Sequence, residues 1–375
     1  MTEPHVLHLI TRFHHGGAEE TTINTLEALA TDSRAYNLQL GVGASYDSDR
    51  LASIEEWGIN TVVFDSIRHY NPVAAVIAVV AVARYLRREE IRIVHTHSTE
   101  AGIIGRFAAR LADVPIVIHE IHGDPVTSDR NQLLNATICR LERLATNSET
   151  ILLVKSEHIK QAYLDRGIGT SSQYRTIYHG VDLELFQTAT PVRDDGVPIV
   201  LFIGRLADGK GLYDLLNAVQ RLQGKVSFKL LVAGDGPLAK DLTNQVETRG
   251  LSGVVELLGY RDDVPGLMAS ADVLVLPSYR EGTPRVITEA LAAGTPVVST
   301  QIAGIPEQVE EGVTGFLVEP GDVNNLINRL HRLLADREMR ITMGERAMES
   351  VTKFDVAEAK EAYRKLYAEL LTVNS

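Results

Sequence analysis

Several residue types are rare in this sequence of 375 residues, which has one cysteine, one tryptophan and 6% aromatic residues. The single Cys139 excludes an internal disulfide and a cysteine-based zinc site. No apolar run approaches the roughly 20 residues that cross a bilayer, and the longest covers residues 73–83. Basic residues number 37 against 49 acidic ones, and the net charge of −12 opposes binding to DNA or RNA. A disulfide scaffold, a membrane span and a nucleic-acid partner are therefore not expected.

The remaining composition, 45% apolar and 23% charged residues, is typical of a soluble globular protein. A length of 375 residues favours two domains. Residues 1–10 carry no basic region before their apolar run, so we expect no signal peptide and a cytoplasmic location. The apolar run at 73–83 continues into Arg84-Tyr85-Leu86-Arg87-Arg88. We expect this helix to pack on a sheet, but an apolar helix with a basic end can also lie on a membrane. Peripheral contact with the inner face of the membrane therefore stays open.

Short apolar runs alternate with helical patterns along the chain, which indicates parallel, doubly wound sheets. The strands expected in the first series are Val6–Ile10, Leu38–Val42, Thr61–Phe64, Ile91–Val94, Ile116–Ile118, Ile151–Val154 and Arg175–Tyr178. Those expected in the second series are Ile199–Ile203, Lys229–Ala233, Val254–Leu258, Val273–Leu276, Pro296–Ser299 and Phe316–Val318. Residues 187–198 are polar and rich in helix breakers, so we expect the linker there.

We therefore predict an α/β protein with two Rossmann-like domains, residues 1–190 and 191–353. A last helix, about Val356 to Leu371 within residues 354–375, has no strand after it. In parallel sheets of this kind, ligands bind beyond the carboxyl ends of the strands. Most glycine loops and histidines of this chain lie at those ends, so the cleft between the domains is the predicted site.

A glycine loop with two cations, Gly204-Arg205-Leu206-Ala207-Asp208-Gly209-Lys210-Gly211, follows the first strand of the second series. It differs from a P-loop at one position, because Gly211 stands where a P-loop needs Ser or Thr to hold magnesium. The loop therefore predicts a phosphate cradle without the metal ligand. This favours a nucleoside-diphosphate sugar over ATP hydrolysis; a chance surface loop is the alternative.

Two glutamates, Glu281 and Glu289, flank the turn Gly282-Thr283-Pro284 and the start of a predicted helix. Thr283 suits the N-cap and Pro284 the first turn, and helix N-termini attract anions. A carboxylate in this turn can reach sugar hydroxyls, and the second suits the paired hydroxyls of a ribose. Both could instead be ordinary glutamates near a helix start.

Near the N-terminus, Gly16-Gly17-Ala18-Glu19 opens a helix soon after the first strand. The G-x-G-x-x-G spacing is absent, which argues against a dinucleotide fingerprint and an NAD oxidoreductase. The turn lets a ligand approach the backbone closely. The alternative is an ordinary strand-to-helix turn that binds nothing.

Histidines end two later strands, in His95-Thr96-His97 and in His119-Glu120-Ile121-His122-Gly123. Residues two apart share one face of a strand, but neither pair shows a clear third metal ligand. The Asp47-Ser48-Asp49 segment matches a metal-binding D-x-D pair, yet we expect a solvated turn with no buried strand to aim it. We therefore predict no metal site.

The G-R-L-x(3)-K-G element at 204–211, the E-x(7)-E element at 281–289 and the Gly16-Gly17 turn occur in the order found in retaining glycosyltransferases of family 4. The chain resembles that family over nearly its whole length, which implies the GT-B fold and a last helix that crosses back to the first domain. The stretch from His95 to Arg106 resembles a branch that builds surface polysaccharides and lipid-linked glycans. Glu120 departs from the small hydroxyl residue expected there.

The resemblance also implies roles for single residues. It assigns Glu281 to the donor sugar, Glu289 to the ribose, Arg205 and Lys210 to the diphosphate, and Arg261 to the base. Gly16 and Gly17 close over the diphosphate, and His122 lies beside the reacting sugar, with a buried structural histidine as the alternative.

The implied reaction moves a hexose-type sugar from a UDP-, GDP- or ADP-sugar to a hydroxyl of a glycan or lipid-linked acceptor, with retention, no cofactor and no divalent metal. A nucleotide-sugar 2-epimerase of the same fold and a non-catalytic sugar-nucleotide-binding subunit are the alternatives.

Overall fold

The computed structural model describes residues 3–67, 72–124, 126, 130–193 and 196–373. The chain forms two compact units, which are described separately below. The first contains Met1–Gly180 together with Val356–Ser375, and the second contains Val181–Asp355.

The first unit is a parallel sheet of seven strands in the order β3-β2-β1-β4-β5-β6-β7. Its elements along the chain are β1 (His5–Phe13), α1 (Gly17–Ala30), β2 (Asn37–Tyr46), α2 (Ser48–Glu55), β3 (Asn60–Phe64), α3 (Pro72–Arg88), β4 (Ile93–His97), α4 (Thr99–Ala112), β5 (Ile116–Ile121), α5 (Gln132–Ala145), β6 (Ile151–Val154), α6 (Glu157–Asp165) and β7 (Tyr174–Thr176). The strand order reverses between β1 and β4, so these two strands flank the switch point of the sheet.

The second unit is a parallel sheet of six strands in the order β10-β9-β8-β11-β12-β13. Its elements are α7 (Leu183–Gln187), β8 (Ile199–Ile203), α8 (Leu212–Leu222), β9 (Lys229–Ala233), α9 (Ala239–Thr248), β10 (Val255–Gly259), α10 (Val264–Ser270), β11 (Val273–Leu276), α11 (Arg285–Ala292), β12 (Val297–Thr300), β13 (Gly315–Val318), α12 (Val323–Ala335) and α13 (Arg337–Ser350). Here the switch point lies between β8 and β11.

The units divide at Gly180 and Val181, before the expected boundary at residue 190. The reason is α7, which packs on α10 and α11 of the second unit. Val181 also pairs with Asp355 in an isolated parallel bridge, and its amide donates to the Phe354 carbonyl oxygen.

The last described helix, α14 (Val356–Val373), belongs to the first unit although it follows the second in sequence. It packs on α1, and three of its side chains, Tyr363, Leu366 and Tyr367, lie in the core formed by β1, β2 and α1.

Helix α3 packs on the sheet through Ala78, Val82 and Leu86 and leaves other apolar side chains outside. Val73, Val76 and Ile77 are 71%, 67% and 58% exposed. Because these residues are three or four positions apart, they share one outward stripe. No helix in the described part of the chain combines the length and apolar composition needed to span a bilayer.

The central strands of the second sheet are continuous apolar runs, as expected where helices cover both faces, whereas β4 and β5 of the first sheet carry buried polar residues. In β8, for example, Val200, Leu201 and Phe202 are fully buried. The predicted class, two Rossmann-like doubly wound domains, is confirmed.

Candidate active site

The glycine loop and the Glu281 turn meet at the switch point of the second sheet. The Gly204–Gly211 loop follows β8, and the turn with Glu281 follows β11, the strand paired with β8. The backbone joins the two loops, since the amide of Tyr279 donates to the carbonyl oxygen of Gly209 at 2.8 Å. Parallel strands end at the same edge of a sheet, so both loops open to the side where such folds bind ligands.

Gly211 has no room for a larger residue. It adopts a left-handed conformation (φ 67°) at the N-cap of α8, and a Cβ there would lie 1.9 Å from the Pro277 carbonyl oxygen. The hydroxyl residue of a P-loop therefore cannot occupy this position without moving the loop after β11. The fold itself excludes the magnesium-binding side chain at this point.

Lys210 and Glu281 form an ion pair across the two loops, with Lys210 Nζ 2.7 Å from Glu281 Oε1. The Lys210 side chain is 26% exposed, whereas that of Glu281 is 8% exposed. Arg205 lies exposed in the same loop, and among the described residues its guanidinium has no hydrogen-bond or ion-pair partner. The switch point therefore offers one paired and one unpaired cation beside a largely buried carboxylate.

The turn at 281–284 begins its helix one residue later than expected. Pro284 is the N-cap and Arg285 the first residue of α11, so the predicted N-cap at Thr283 is wrong. Pro284 is itself extended (φ −69°, ψ 120°), so the first residue with helical backbone angles is Arg285. Two bonds fix the turn: the Gly304 amide donates to the Gly282 carbonyl oxygen, and Gln308 Nε2 donates to the Pro284 carbonyl oxygen.

Glu289 and Arg261 each have an ion-pair partner of their own. Glu289 is in the second turn of α11, with Arg285 Nε 3.7 Å from its Oε1. Arg261 follows β10 at the edge of the sheet and pairs with Asp263, Nε to Oδ1 at 2.7 Å. Neither residue makes a recorded contact with Lys210 or Glu281 among the described residues.

Two features of this site were missed by the sequence reasoning. The loop Gly234-Asp235-Gly236 after β9 touches the first glycine loop so closely that a Cβ on Gly234 would lie 1.9 Å from the Gly204 carbonyl oxygen. Two glycines directly after an apolar strand were the available signal. The second is Arg280, whose Nη2 donates to the Asp208 carbonyl oxygen at 3.2 Å.

The predicted residues of the first unit also lie at strand ends. Gly16 precedes α1 in an extended conformation after β1, and Gly17 is the first residue of that helix. His122 follows β5. In the sheet, β4 lies between β1 and β5. No contact joins His122 to the glycine turn among the described residues.

A buried network of polar side chains lies next to His122. Glu120 Oε2 is 3.2 Å from both His95 Nε2 and His97 Nδ1. Lys155 Nζ and Tyr363 Oη both donate to the other carboxylate oxygen, Oε1. These five side chains are buried, and Lys155 Nζ also donates to Tyr363 Oη at 2.6 Å.

The network continues away from Glu120 to His8 and Tyr367. His8 Nδ1 is 3.1 Å from His97 Nε2, and Tyr367 Oη is 2.8 Å from His95 Nδ1 and 3.2 Å from His8 Nε2. Helix α14 thus supplies two tyrosines to a network built on β1, β4 and β5.

The expectation that the histidine pairs lack a third metal ligand is wrong. His8 completes a group with His95 and His97, and Glu120 completes another with His97 and His122, with all ligand atoms of each group within 4.8 Å. The charge of Glu120, however, is already offset by Lys155. A divalent cation would add uncompensated positive charge to a buried site, which is unfavourable. We therefore interpret the cluster as a hydrogen-bonded network.

Burial sets the protonation of this network. Burial lowers the pKa of His122 to about 3 and, with the neighbouring His95, the pKa of His97 to about 4. Burial raises the pKa of the Glu120 carboxyl, but Lys155 and the two histidines outweigh it and hold that pKa well below its usual value. At pH 7 the histidines are therefore neutral, and one buried ion pair remains.

Asp47 has a structural role. Strand β2 runs to Tyr46, directly before this segment, but its last three residues are exposed, and Ser48 and Asp49 open α2 instead of forming the expected turn. The Asp47 side chain accepts hydrogen bonds from the amides of Asp49 and Arg50 and caps α2.

Comparison with known proteins assigns both units. Residues 4–180 match the model of the glycosyl transferase 4-like domain, and residues 186–350 match that of glycosyl transferases group 1. An Escherichia coli UDP-Gal:alpha-D-GlcNAc-diphosphoundecaprenol alpha-1,3-galactosyltransferase is 31% identical over 312 residues, 78% of this chain and 79% of that protein. The N-acetyl-alpha-D-glucosaminyl L-malate synthase of Bacillus anthracis is 27% identical over 77% of each chain.

Solved structures agree in fold. HepE of Anabaena, crystallised with UDP and glucose, aligns with a TM-score of 0.82 at 24% identity, over 98% of this chain and 100% of that one. Sucrose-phosphate synthase of Thermosynechococcus elongatus aligns with the same TM-score at 23% identity, over 99% and 100%. Together with the family models and the E. coli relative, these similarities establish that the chain belongs to the GT4 family of GT-B glycosyltransferases.

Proposed function

We propose that this glycosyltransferase moves a hexose-type sugar from a nucleoside-diphosphate sugar to an acceptor hydroxyl with retention at the anomeric carbon. The observation that carries the proposal is the Lys210–Glu281 contact at the switch point of the second unit. An ammonium attracts phosphate oxygens, and a carboxylate accepts hydrogen bonds from hydroxyls. The pair therefore suits a donor molecule whose diphosphate is bound by Lys210 and whose sugar is bound by Glu281.

The charge on the donor diphosphate grows as the sugar leaves. Arg205, Lys210 and the amides of the glycine loops stabilise that charge, and preorganised donors of this kind commonly contribute several kcal/mol. Gly16 and Gly17 would add backbone amides from the first unit. The acceptor hydroxyl attacks from the face that the leaving group vacates, and the leaving phosphate takes the hydroxyl proton. One glycosidic bond forms as the sugar–phosphate bond breaks.

The other predicted residues hold the rest of the donor. In this proposal Glu281 binds hydroxyls of the sugar, with Thr283 and Pro284 shaping its turn. Glu289 binds the ribose and Arg261 contacts the base, for which Arg261 must exchange its present partner Asp263. His122 lies beside the reacting sugar.

We infer that the donor is a UDP-sugar and the acceptor a glycan or lipid-linked glycan. The E. coli relative is named for UDP-Gal and a diphosphoundecaprenol acceptor, and the Anabaena structure holds UDP and glucose. These names support a role in surface polysaccharide or lipid-linked glycan synthesis. The proposal includes no cofactor and no divalent metal.

A surface of the first unit supports peripheral contact with a membrane. This apolar–basic surface consists of Val73, Val76, Ile77 and Val80 on α3, Leu111 on α4, and the exposed Arg84, Arg87, Arg88 and Arg110. Along α3 the apolar residues give way to arginines on the same stripe. The net charge of the chain is −12, so this local basic cluster is what would attract anionic lipid.

Vesicle sedimentation tests this contact. The protein should bind vesicles of phosphatidylglycerol and phosphatidylcholine, and V76D/I77D should abolish that binding. Val192→Asp, which alters an exposed valine of the second unit, is the matched control and should bind normally. Equal binding by V76D/I77D would rule out the apolar–basic surface.

The donor is tested by calorimetry with UDP, GDP and ADP and by thermal shift. A true ligand at one hundred times its Kd stabilises the protein by about 2.7 kcal/mol. NMR of the product then reports the anomeric configuration. An inverted product, or an epimerised sugar formed without acceptor, would contradict the proposal.

Glu281→Gln tests the site itself. The variant should keep its nucleoside-diphosphate affinity within a few-fold while kcat falls by about a hundredfold, because an amide replaces the carboxylate at the sugar. Glu256→Gln, which alters the exposed Arg193–Glu256 pair of the same unit, is the control and should leave kcat unchanged. An unchanged kcat in Glu281→Gln would remove this residue from the site.

A further inference from the structure

Arg280 forms a further link between the glycine loop and the turn that carries Glu281. It stands directly before Glu281, and its Nη2 donates to the Asp208 carbonyl oxygen at 3.2 Å. The guanidinium also lies against Gly209, because a Cβ built on that glycine would be 2.7 Å from Nε, 2.8 Å from Nη2 and 3.1 Å from Cζ. Arg280 therefore occupies the space that a side chain at position 209 would need.

The backbone of Gly209 takes part in the same junction. This glycine adopts a left-handed conformation (φ 84°), and its carbonyl oxygen accepts from the Tyr279 amide at 2.8 Å. Three consecutive residues of one loop, 279–281, therefore contact three consecutive residues of the other, 208–210. The contacts use three different groups, a backbone amide, a guanidinium and a carboxylate.

These contacts differ in what they hold. Glu281 holds the ammonium of Lys210, which has no fixed orientation for its three donors and must be shared with a phosphate oxygen when the donor binds. Arg280 instead holds the backbone of the glycine loop, at the two residues before Lys210. Its contact therefore acts on the position of the loop and not on the ammonium itself.

We propose that Arg280 is a positioning residue for the donor diphosphate: it holds Asp208 and Gly209 in place and so determines where the Lys210 ammonium meets the distal phosphate. The contacts with the loop stand by themselves, whereas their use on the diphosphate rests on the proposed function. Arg280 acts through Lys210 and does not bind a phosphate itself. The loop thus keeps its place while Lys210 is shared between Glu281 and the ligand.

Arg280→Met tests the contribution of the guanidinium, because Met keeps a long unbranched side chain but has no donor and no charge. The variant should weaken UDP binding about tenfold and UMP binding by less than about twofold, since the distal phosphate is the group that Lys210 meets. Arg280→Lys, whose ammonium can still donate to the Asp208 carbonyl oxygen, should recover most of the loss. Calorimetry measures the four affinities.

The control is Arg221→Met, which removes another exposed arginine of the second unit, one whose Nη1 donates to Asn324 Oδ1 at 2.7 Å. It should leave the affinities for UDP and UMP unchanged. If Arg280→Met also binds UDP as the native protein does, the side chain of Arg280 only fills space and the assignment is overturned.

A double variant separates positioning from direct binding. Lys210→Ala has no ammonium to place, so adding Arg280→Met to it should weaken UDP binding by less than about twofold more. A guanidinium that contacts phosphate itself, or attracts it by charge alone, would cost the same factor with and without Lys210. Equal losses in the two backgrounds would overturn the assignment and make Arg280 a phosphate ligand.

Hydrogen exchange of the ligand-free protein keeps this test apart from that of the proposed function. The Tyr279 amide, which donates to Gly209, should exchange faster in Arg280→Met and at the native rate in Arg221→Met. Unchanged exchange in Arg280→Met would mean that Arg280 does not hold the loop, which overturns the assignment. If exchange rises but Lys210→Ala binds UDP as the native protein does, the loop contact stands, and the proposed contact of Lys210 with the diphosphate is wrong.

Discussion

The two units have the same kind of sheet but use their polar side chains differently. In the first, Glu120, Lys155, His95 and His97 are buried and meet one another. In the second, Arg205 is exposed and Lys210 is 26% exposed, both on loops at the strand ends. The first unit therefore brings these polar side chains against one another when it folds. The second keeps cations that a ligand can engage.

Histidine shows the same division. Every histidine except His331 lies in the first unit. Burial lowers the pKa of five of them, His8, His95, His97, His119 and His122. One switch point thus depends on protonation and the other on fixed cations, and this contrast can be tested by acid, by mutation and by chelation.

The largest expected effect is acid unfolding of the first unit alone. The buried histidines have lower pKa values folded than unfolded, so the unfolded state binds more protons and stability falls as pH drops below about 6.5. His97, with a pKa of about 4, costs about 2 kcal/mol at pH 5, and His8, His95 and His119 add in the same direction. The lowered pKa of Glu120 also acts in this direction at lower pH, because its stabilising charge is lost on protonation.

Hydrogen exchange between pH 7 and pH 5 follows each unit, and the single Trp57 reports on the first by fluorescence. The first unit should lose protection before the second. If both units lost protection together, or if the second lost it first, the proposed difference in acid stability between the units would be wrong.

Lys155→Met should destabilise the first unit by about 3–5 kcal/mol, because it leaves the Glu120 carboxylate buried without its cation. Urea unfolding followed by Trp57 fluorescence measures this loss. Lys160→Met, in the more exposed Lys160–Glu157 pair, is the control and should change stability by less than about 1 kcal/mol. The double variant Lys155→Met/Glu120→Gln should recover much of the loss, and no recovery would mean that Lys155 acts through packing.

Lys210→Ala should weaken binding of a nucleoside diphosphate more than that of the monophosphate, by about 1.5–3 kcal/mol, since charge-assisted contacts to the distal phosphate are lost. Calorimetry with UDP and UMP measures the difference. Lys240→Ala, on α9 of the same unit, should leave both affinities unchanged. Equal losses for the two nucleotides would move Lys210 away from the distal phosphate.

Chelation should have no effect on transfer. Arg205 and Lys210 supply the positive charge that magnesium would otherwise bring to the diphosphate, and Gly211 cannot carry a metal-binding hydroxyl. Sugar transfer is assayed after exhaustive EDTA treatment and again with magnesium or manganese. Activity that disappears with EDTA and returns with metal would contradict the cationic site and reopen the histidine clusters as metal ligands.

The sequence predicted those features whose signals are local. Apolar runs and helix breakers were sufficient to predict the two sheets. The glycine loop and the turn at Glu281 lie at strand ends as expected. The network around Glu120 was not predictable in this way. Its partners Lys155 and Tyr363 lie far away in sequence, and no spacing rule joins them before the sheet and α14 are assembled. The roles of the donor residues remain predictions.

The helix α14 also sets the order in which the molecule can be completed. Residues 181–355 separate the first sheet from its own last helix, so the ribosome makes the whole second unit before Tyr363 and Tyr367 exist. At 5–20 residues per second, that interval is roughly 10–35 s. Throughout it, Glu120 and the histidines beside it lack their tyrosine partners. A chain interrupted anywhere in the second unit therefore carries an unfinished first unit, which makes it a ready substrate for proteases and chaperones.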